Sequence, residues 1–328
     1  MKPPLFLEGK STECPRGKEP QGPTNLEMIM LLDSKKVGAL LRCFAREPNL
    51  VDNAVALAVA SVERMLSVQV GGRSFVSRVE ILVPTDDAYA EKDCGQTAPK
   101  LREAIRVKGW KGVFVSEVKH GDIFVGILNY GTAKLLRAGC DYGIVLSKEA
   151  EAYFTNEAAE DLVTAAEAGA LAMGLAITEL TESIMQGRIA NTFAMWHLMS
   201  LVQVGCFDAR SAKPKKDAPI KSRAEAWESG KLFYAYDNAG VEEIVPLIRL
   251  ARTFGPCFAP ILPRGDGVRV YRAPDPDVDP EGHIRHMNKL GTKFVRQSFF
   301  AQAENTDPEM SFLKGGVMPS YRHPDYIK

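Results

Sequence analysis

Short apolar runs that stop abruptly in polar residues, separated by stretches whose apolar positions fall three or four apart, set the rhythm of this chain. Met28–Leu32 is such a run and exits into Asp33–Lys36, which predicts a first buried strand. Ala39–Ala45 and Val51–Leu66, divided by Pro48 and Asn49, carry apolar residues at helical spacing and predict one or two helices covering it. Val79–Val83, followed by Thr85-Asp86-Asp87, predicts a second strand, Leu101–Val107 a helix, and Gly112–Val118 a third strand. The segment GILNYGTAKLLRAGCDYGIVLSKE, Gly126–Glu149, then supplies a small-residue turn, a helix and a fourth strand, Gly143–Leu146, with an abrupt exit at Ser147-Lys148-Glu149. Recurrence of strand, polar tip and helix is the pattern of βαβ units, so the fold class expected is α/β with a mostly parallel central sheet.

Asn156–Gly187 carries the longest helical pattern, with Leu162, Ala166, Ala170, Met173, Ile177, Leu180 and Ile184 in step. Ile189–Phe193 leads into a predicted helix, Trp196–Val204. The Lys- and Pro-rich Arg210–Lys221 reads as a surface loop. Glu242–Phe254 is a further amphipathic helix and Pro256–Leu262 a short strand, after which the chain turns polar and Pro-rich before a last helix over Ile284–Gln302. The expected organisation is a loosely ordered arm at 1–26, one domain at 27–262, and a C-terminal extension at 263–328 that packs on or near the active site. No repeat of 20 to 50 residues is visible, which removes solenoids and propellers.

Composition narrows the function classes. Among 328 residues, 41 Lys and Arg balance 41 Asp and Glu, so no overall field draws the chain to nucleic acid or an anionic membrane. The six cysteines are scattered without a Cys-x-x-Cys pair, as expected of reduced packing residues in the cytoplasm. Ala168–Ile177, the longest strongly apolar stretch, is about half the roughly 20 residues a membrane span needs and predicts a buried helix. The N-terminal stretch lacks the apolar core of a signal peptide.

Candidate chemistry gathers at strand exits, because ligands in open α/β sheets bind beyond the carboxyl ends of the strands. Asp86 and Asp87 stand where a carboxylate can accept from a nucleobase or ribose, or simply form a turn or helix cap. Asp93, Gly95 and Thr97 fit a turn and a capped helix start. Asn129, Gly131 and Lys134 begin a helix whose free N–H groups suit a diphosphate. His283 and His286, three apart, could share one cation or form a solvated pair.

Taken together, these segments resemble the inverting family 2-like glycosyltransferases of the GT-A type. In that family an Asn-x-Gly helix start precedes a strand that ends in a metal-binding Asp-x-Asp; here Asn129 and Gly131 supply the first feature, and Ser147-Lys148-Glu149 replaces the second. The run 187–208 resembles the family's acceptor side at Asn191, Trp196, Val204-Gly205, Phe207 and Asp208, with Cys206 in place of a second glycine and His197 near the usual arginine. The resemblance implies a GT-A-like domain that takes a nucleotide-diphosphate sugar donor and transfers the sugar, with inversion, to an unknown acceptor. Asp86 or Asp87 would hold the nucleoside, and Asn129, Lys134 and Lys148 the diphosphate. Asn191, Trp196 and Asp208 would form the acceptor side, with Trp196 a packing residue unless exposed. Glu242 would take the acceptor proton, Asp237 and Glu243 being the alternates. A divalent metal, manganese or magnesium, would rest on Glu149 with help from His283, although loss of the first carboxylate weakens such a site and leaves Lys148 to offset phosphate charge. Glu151 and Glu157 lie near enough in sequence to substitute. Two other classes stay open: a non-catalytic relative that binds a nucleotide or a protein partner, and a nucleotidyltransferase, whose Gly-rich phosphate loop Asp33–Gly38 matches poorly. A homo-oligomer is also left open.

Overall fold

The computed structural model describes residues 35–45, 47–85, 93, 95–119, 125–176, 189–208, 242–261, 276, 277, 280, 297, 300–306 and 315–321, with backbone alone at 148–150 and 176. In chain order the elements are β1 (Val37–Arg42), α1 (Val51–Ser67), a small hairpin of β2 (Gln69–Val70) and β3 (Arg73–Ser74), β4 (Arg78–Pro84), α2 (Thr97–Lys108), β5 (Val113–Val118) and α3 (Gly126–Arg137). They continue with β6 (Tyr142–Leu146), α4 (Asn156–Glu167), β7 (Ala172–Ala176), β8 (Ile189–His197), α5 (Leu198–Gln203), α6 (Ile244–Phe254) and β9 (Phe258–Ile261).

Seven strands form one sheet in the order β5-β4-β1-β6-β8-β7-β9. Every pairing is parallel except those of β8 with β6 and β7. Neighbouring residues of a strand face opposite ways, so the sheet is covered on both sides. Leu41, Ile81 and Ile144 share a core with Val62 and Met65 of α1, Leu101 of α2 and Leu162 of α4. Leu40, Leu82 and Val145 share the other with Leu135 of α3, Leu201 of α5 and Leu247 of α6. At about 1.5–3 kcal/mol for each large apolar side chain buried, these two cores supply most of the drive to fold. The mostly parallel central sheet flanked by helices is the architecture expected for this α/β chain.

Three sequence expectations are corrected. Ala39–Ala45 is not helical: residues up to Arg42 form β1, an interior strand between β4 and β6. A strand buried on both faces is apolar at nearly every position and has no alternation to betray it. Gly38 confirms the tight setting, since a Cβ there would come within 2.5 Å of Leu135. Met28–Leu32 lies outside the described residues.

The long helix over 156–187 ends at Glu167, and Gly169, at φ 94°, turns the chain into β7. The described part of that stretch, 168–176, is therefore a loop and a strand paired to β8 and β9, and not a buried helix. Ala-rich runs fit either element by period, and only the vacant place beside β8 decides. Finally, Trp196 and His197 belong to β8, and the helix begins at Leu198.

The C-terminal residues pack onto this sheet. Phe300 and Ala301 enter the second core, the Cys257 N–H donates to the Gly316 carbonyl at 2.7 Å, and Val317 bridges Phe258. No helix among the described residues is long and apolar enough to cross a membrane.

Candidate functional site

From β1 the chain moves outward to β4 and β5, then returns to place β6 on the other flank of β1. Strand order thus reverses between β1 and β6, and the crevice beyond their carboxyl ends is where such sheets hold ligands. The backbone continues the sheet at this edge: the Ser147 N–H donates to the Thr192 carbonyl at 2.8 Å, joining the exit of β6 to β8.

Three oxygens on this edge are buried without a hydrogen-bond partner: Thr85 Oγ1 after β4, Ser147 Oγ after β6, and Asn191 Oδ1 near the start of β8. Asn191 is only 7% exposed. An unsatisfied buried polar atom costs about 1–3 kcal/mol, and these three stand along the carboxyl edge of the parallel strands, Thr85 and Ser147 following opposite faces of the sheet. The remaining unpartnered atoms among the described residues, Thr97 Oγ1, Thr132 Oγ1 and Trp196 Nε1, sit on α2, α3 and further along β8.

Two of the predicted acceptor-side residues, Trp196 and Asp208, lie at or beside one turn together with Asn129, which was expected at the diphosphate; Asn191 stands at the other end of β8. Asn129, in the first turn of α3, donates from Nδ2 to the Phe207 carbonyl at 2.8 Å and accepts from the Phe207 N–H at 3.1 Å. Its side-chain amide is thereby a clamp on the chain after α5. Two residues on, Gly131 lets α3 press against the sheet, because a Cβ there would lie 2.7 Å from Leu82 and 2.8 Å from Leu40. Trp196 is 1% exposed and meets Phe207 edge-on at 5.3 Å, which makes it a packing residue. Asp208 follows, and Arg249 of α6 reaches its Oδ2 at 3.3 Å. The same guanidinium grips both carboxylate oxygens of Glu304, at 3.0 and 2.9 Å, and donates to the Val204 carbonyl at 3.3 Å. Arg252 donates to the Glu304 carbonyl. This Arg249–Glu304 latch had no sequence signal, its partners being 55 residues apart.

The other predicted residues that the structure describes sit on α3, before α6 and before α2. Lys134 is eight residues along α3 from its first residue, about 12 Å down the axis, with its ammonium 5.6 Å from the Tyr130 ring. Glu242 and Glu243 are buried immediately before α6, where a helix N-terminus favours carboxylates. Asp93 caps its own turn, accepting from the Gly95 N–H at 2.8 Å and the Thr97 N–H at 3.3 Å. Asp86, Asp87, Asp237, His283 and His286 lie outside the described residues, as do the side chains of Lys148 and Glu149.

Polar groups at the opposite edge of the sheet are matched. Asp141 accepts from the Lys36 N–H at 2.9 Å and pairs with the Lys35 ammonium at 3.5 Å. His197 caps α5, its Nδ1 lying 2.8 Å from Ser200 Oγ and accepting from the Ser200 N–H at 3.4 Å, with Tyr142 edge-on to the ring. Burial, and secondarily Lys35, hold the His197 imidazole below its ordinary pKa against the opposing pull of Asp141. Six residues of strand separate His197 from Asn191, roughly 20 Å. The four described cysteines are free thiols; burial raises Cys140, Cys206 and Cys257, the last to about 12, in keeping with packing roles.

The described donors at the exit of β6 do not fit a divalent cation. Ser147 offers a neutral hydroxyl, and the Glu151 carboxylate already accepts from Ser61 Oγ at 2.7 Å. Among the described residues, no group of three or more His, Cys, Asp or Glu is placed to hold a metal.

No family model and no curated protein matches the chain. Among the solved structures similar to it are a cytidylyltransferase from Leptospira borgpetersenii, a 4-diphosphocytidyl-2C-methyl-D-erythritol synthase from Anaerococcus prevotii, and a glucosyl-3-phosphoglycerate synthase from Mycobacterium tuberculosis in complex with Mn2+, UDP and phosphoglyceric acid. The first is 12% identical over 87% of this chain and 99% of its own, with a TM-score of 0.40. The second is 11% identical over 52% of this chain and 75% of its own, TM-score 0.35. The third is 13% identical over 85% of this chain and 84% of its own, TM-score 0.41. Overlaps this loose assign the chain neither a substrate nor an activity.

Proposed function

We propose that this chain is a GT-A-like transferase that binds a nucleotide-diphosphate sugar at the carboxyl edge of β4, β1 and β6 and transfers the sugar, with inversion, to an acceptor hydroxyl. One observation carries this reading: the reversal of strand order between β1 and β6 coincides with the buried, unpartnered oxygens of Ser147 and Asn191. In this reading Asp86 or Asp87, following β4, holds the nucleoside, and Lys148, following β6, lies against the diphosphate. Asn129 steadies the 204–208 turn, and Asn191 and Asp208 serve the acceptor side. The acceptor oxygen attacks the anomeric carbon while the bond from that carbon to the diphosphate oxygen breaks, its electron pair staying with the diphosphate. The hydroxyl proton passes to Glu242, with Asp237 and Glu243 as alternates.

The test is a melting series with UDP-, GDP- and dTDP-sugars, followed by assay of nucleotide release. One nucleotide should raise the Tm, and Glu242→Gln should keep that rise and lose the release. No rise with any of them ends the proposal. A second reading, a non-catalytic nucleotide binder, draws on the engagement of Asn129 and Asp208 in structural contacts. It predicts a rise in Tm without release or transfer.

A further inference from the structure

β5 begins the sheet, and among the described residues its one ladder is with β4. The Val79 N–H donates to the Gly112 carbonyl at 2.9 Å and the Thr85 N–H to the Val118 carbonyl at 3.0 Å, so the even-numbered residues of this stretch turn their backbone groups inward. Parallel pairing then leaves the N–H and C=O of Val113, Val115 and Glu117 pointing out from the sheet. Side chains alternate between its faces. Val113 and Val115 join the core under α1 and α2, whereas Phe114 stands on the opposite face, 43% exposed, with the Arg78 guanidinium 3.8 Å from its ring centroid. Arg78 is itself held by the buried Glu80, its Nε donating to Oε1 at 2.8 Å.

An open edge invites another strand, and charge decides which strand can come. Lys111, Glu117 and Lys119 flank this one and are exposed, and Arg102 of α2 pairs with Glu117 and fixes it there. We propose that β5 takes the β5 of a second copy of this chain, antiparallel about a two-fold axis at Phe114, joining the two sheets into one. For the outward groups to pair, odd-numbered residues must oppose odd-numbered ones, which leaves three registers centred on the strand. With the axis at Phe114, Val113 faces Val115 of the second copy and Lys111 comes beside its Glu117, twice over by symmetry. With the axis at Val115, Lys111 meets Lys119 and like charges oppose. With the axis at Ser116, Glu117 and Lys119 face valines and no charges match. The first register alone is complementary, and it brings the two Phe114 rings together at a non-hydrogen-bonded pair, where side chains lie closest.

The experiment is sedimentation velocity of the full chain over roughly 1 to 200 µM, where the native chain should dimerise with a Kd on the order of 10 µM. Val115→Pro removes an outward N–H that the fold does not use, so it should raise that Kd at least about tenfold with an unchanged circular dichroism spectrum. Lys111→Glu sets like charges together on both sides of the axis and should weaken the dimer about tenfold. Adding Glu117→Lys restores opposite signs and should recover most of that loss, which damage to the fold could not do. A native chain that stays monomeric at about 200 µM overturns the proposal and leaves the edge to a strand of another protein. A dimer that Val115→Pro and Lys111→Glu both leave as tight as the native one overturns it too, placing the contact on another surface. If Val115→Pro fails to fold, the charge pair decides: a Lys111→Glu loss that Glu117→Lys does not recover overturns the two-fold pairing.

Discussion

The two edges of the central sheet handle their polar groups in opposite ways. At the amino ends of the parallel strands Asp141 takes the Lys36 N–H and the Lys35 ammonium, Ser77 donates to the Val37 carbonyl, and His197 caps α5. At the carboxyl ends Thr85, Ser147 and Asn191 hold buried oxygens with no partner. The first edge serves stability. The second forgoes some of it, as the donor-binding proposal requires. A third region, the 204–208 turn, resembles the stable edge, being tied by Asn129, Arg249 and Glu304.

The contrast can be broken by substitution, and the largest effect belongs to the tied turn. Arg249→Met leaves Glu304 and Asp208 without their shared cation and should cost about 2–3 kcal/mol in urea unfolding. A loss below about 0.5 kcal/mol would show the latch to be superficial. At the amino edge, Asp141→Ala should cost about 1–1.5 kcal/mol and leave nucleotide binding as it was. Asn191→Val is the sharpest comparison: removing an unpartnered oxygen should leave stability equal or raise it by up to about 1 kcal/mol, and abolish the ligand-induced rise in Tm. A clear loss of stability would mean that Asn191 is already satisfied, and the two edges would no longer differ.

Cys206 sits at φ 58°, a left-handed backbone that favours glycine, so Cys206→Gly should gain about 0.5 kcal/mol after the added freedom of the unfolded chain is counted. The smallest effect is on pH dependence. Burial holds His197 below its ordinary pKa of about 6.5, so under that pH the unfolded chain binds more protons than the folded one. Its contribution to stability is complete above that value and is lost as pH falls through the folded pKa. His197→Asn, which keeps a capping side chain, should reduce the fall in Tm between pH 7.5 and 5.5; an unchanged slope would place the sensitivity elsewhere.

Much of the parallel half was legible. β4, β5 and β6 each pair an apolar run with a polar exit, and α1 shows an apolar stripe because its other face is wet. β1 and β7 were read as helices, since nearly continuous apolar runs satisfy both periods. At the site, the strand exits at Thr85 and Ser147 were visible as polar stops, whereas the Asn129 clamp and the Arg249–Glu304 latch depend on partners 55 or more residues away.

By itself the sequence determined the class of fold and the positions where strands give way to polar tips, because those follow from short-range periodicity and from the rule that buried strands end where water begins. Which apolar run became β1, on which side of it β6 returned, and which polar side chains were satisfied or left open were decided only by the tertiary structure. These are questions of pairing between distant segments. Local propensity is silent about them, and the free energy that answers them comes from burying two faces of one sheet at once.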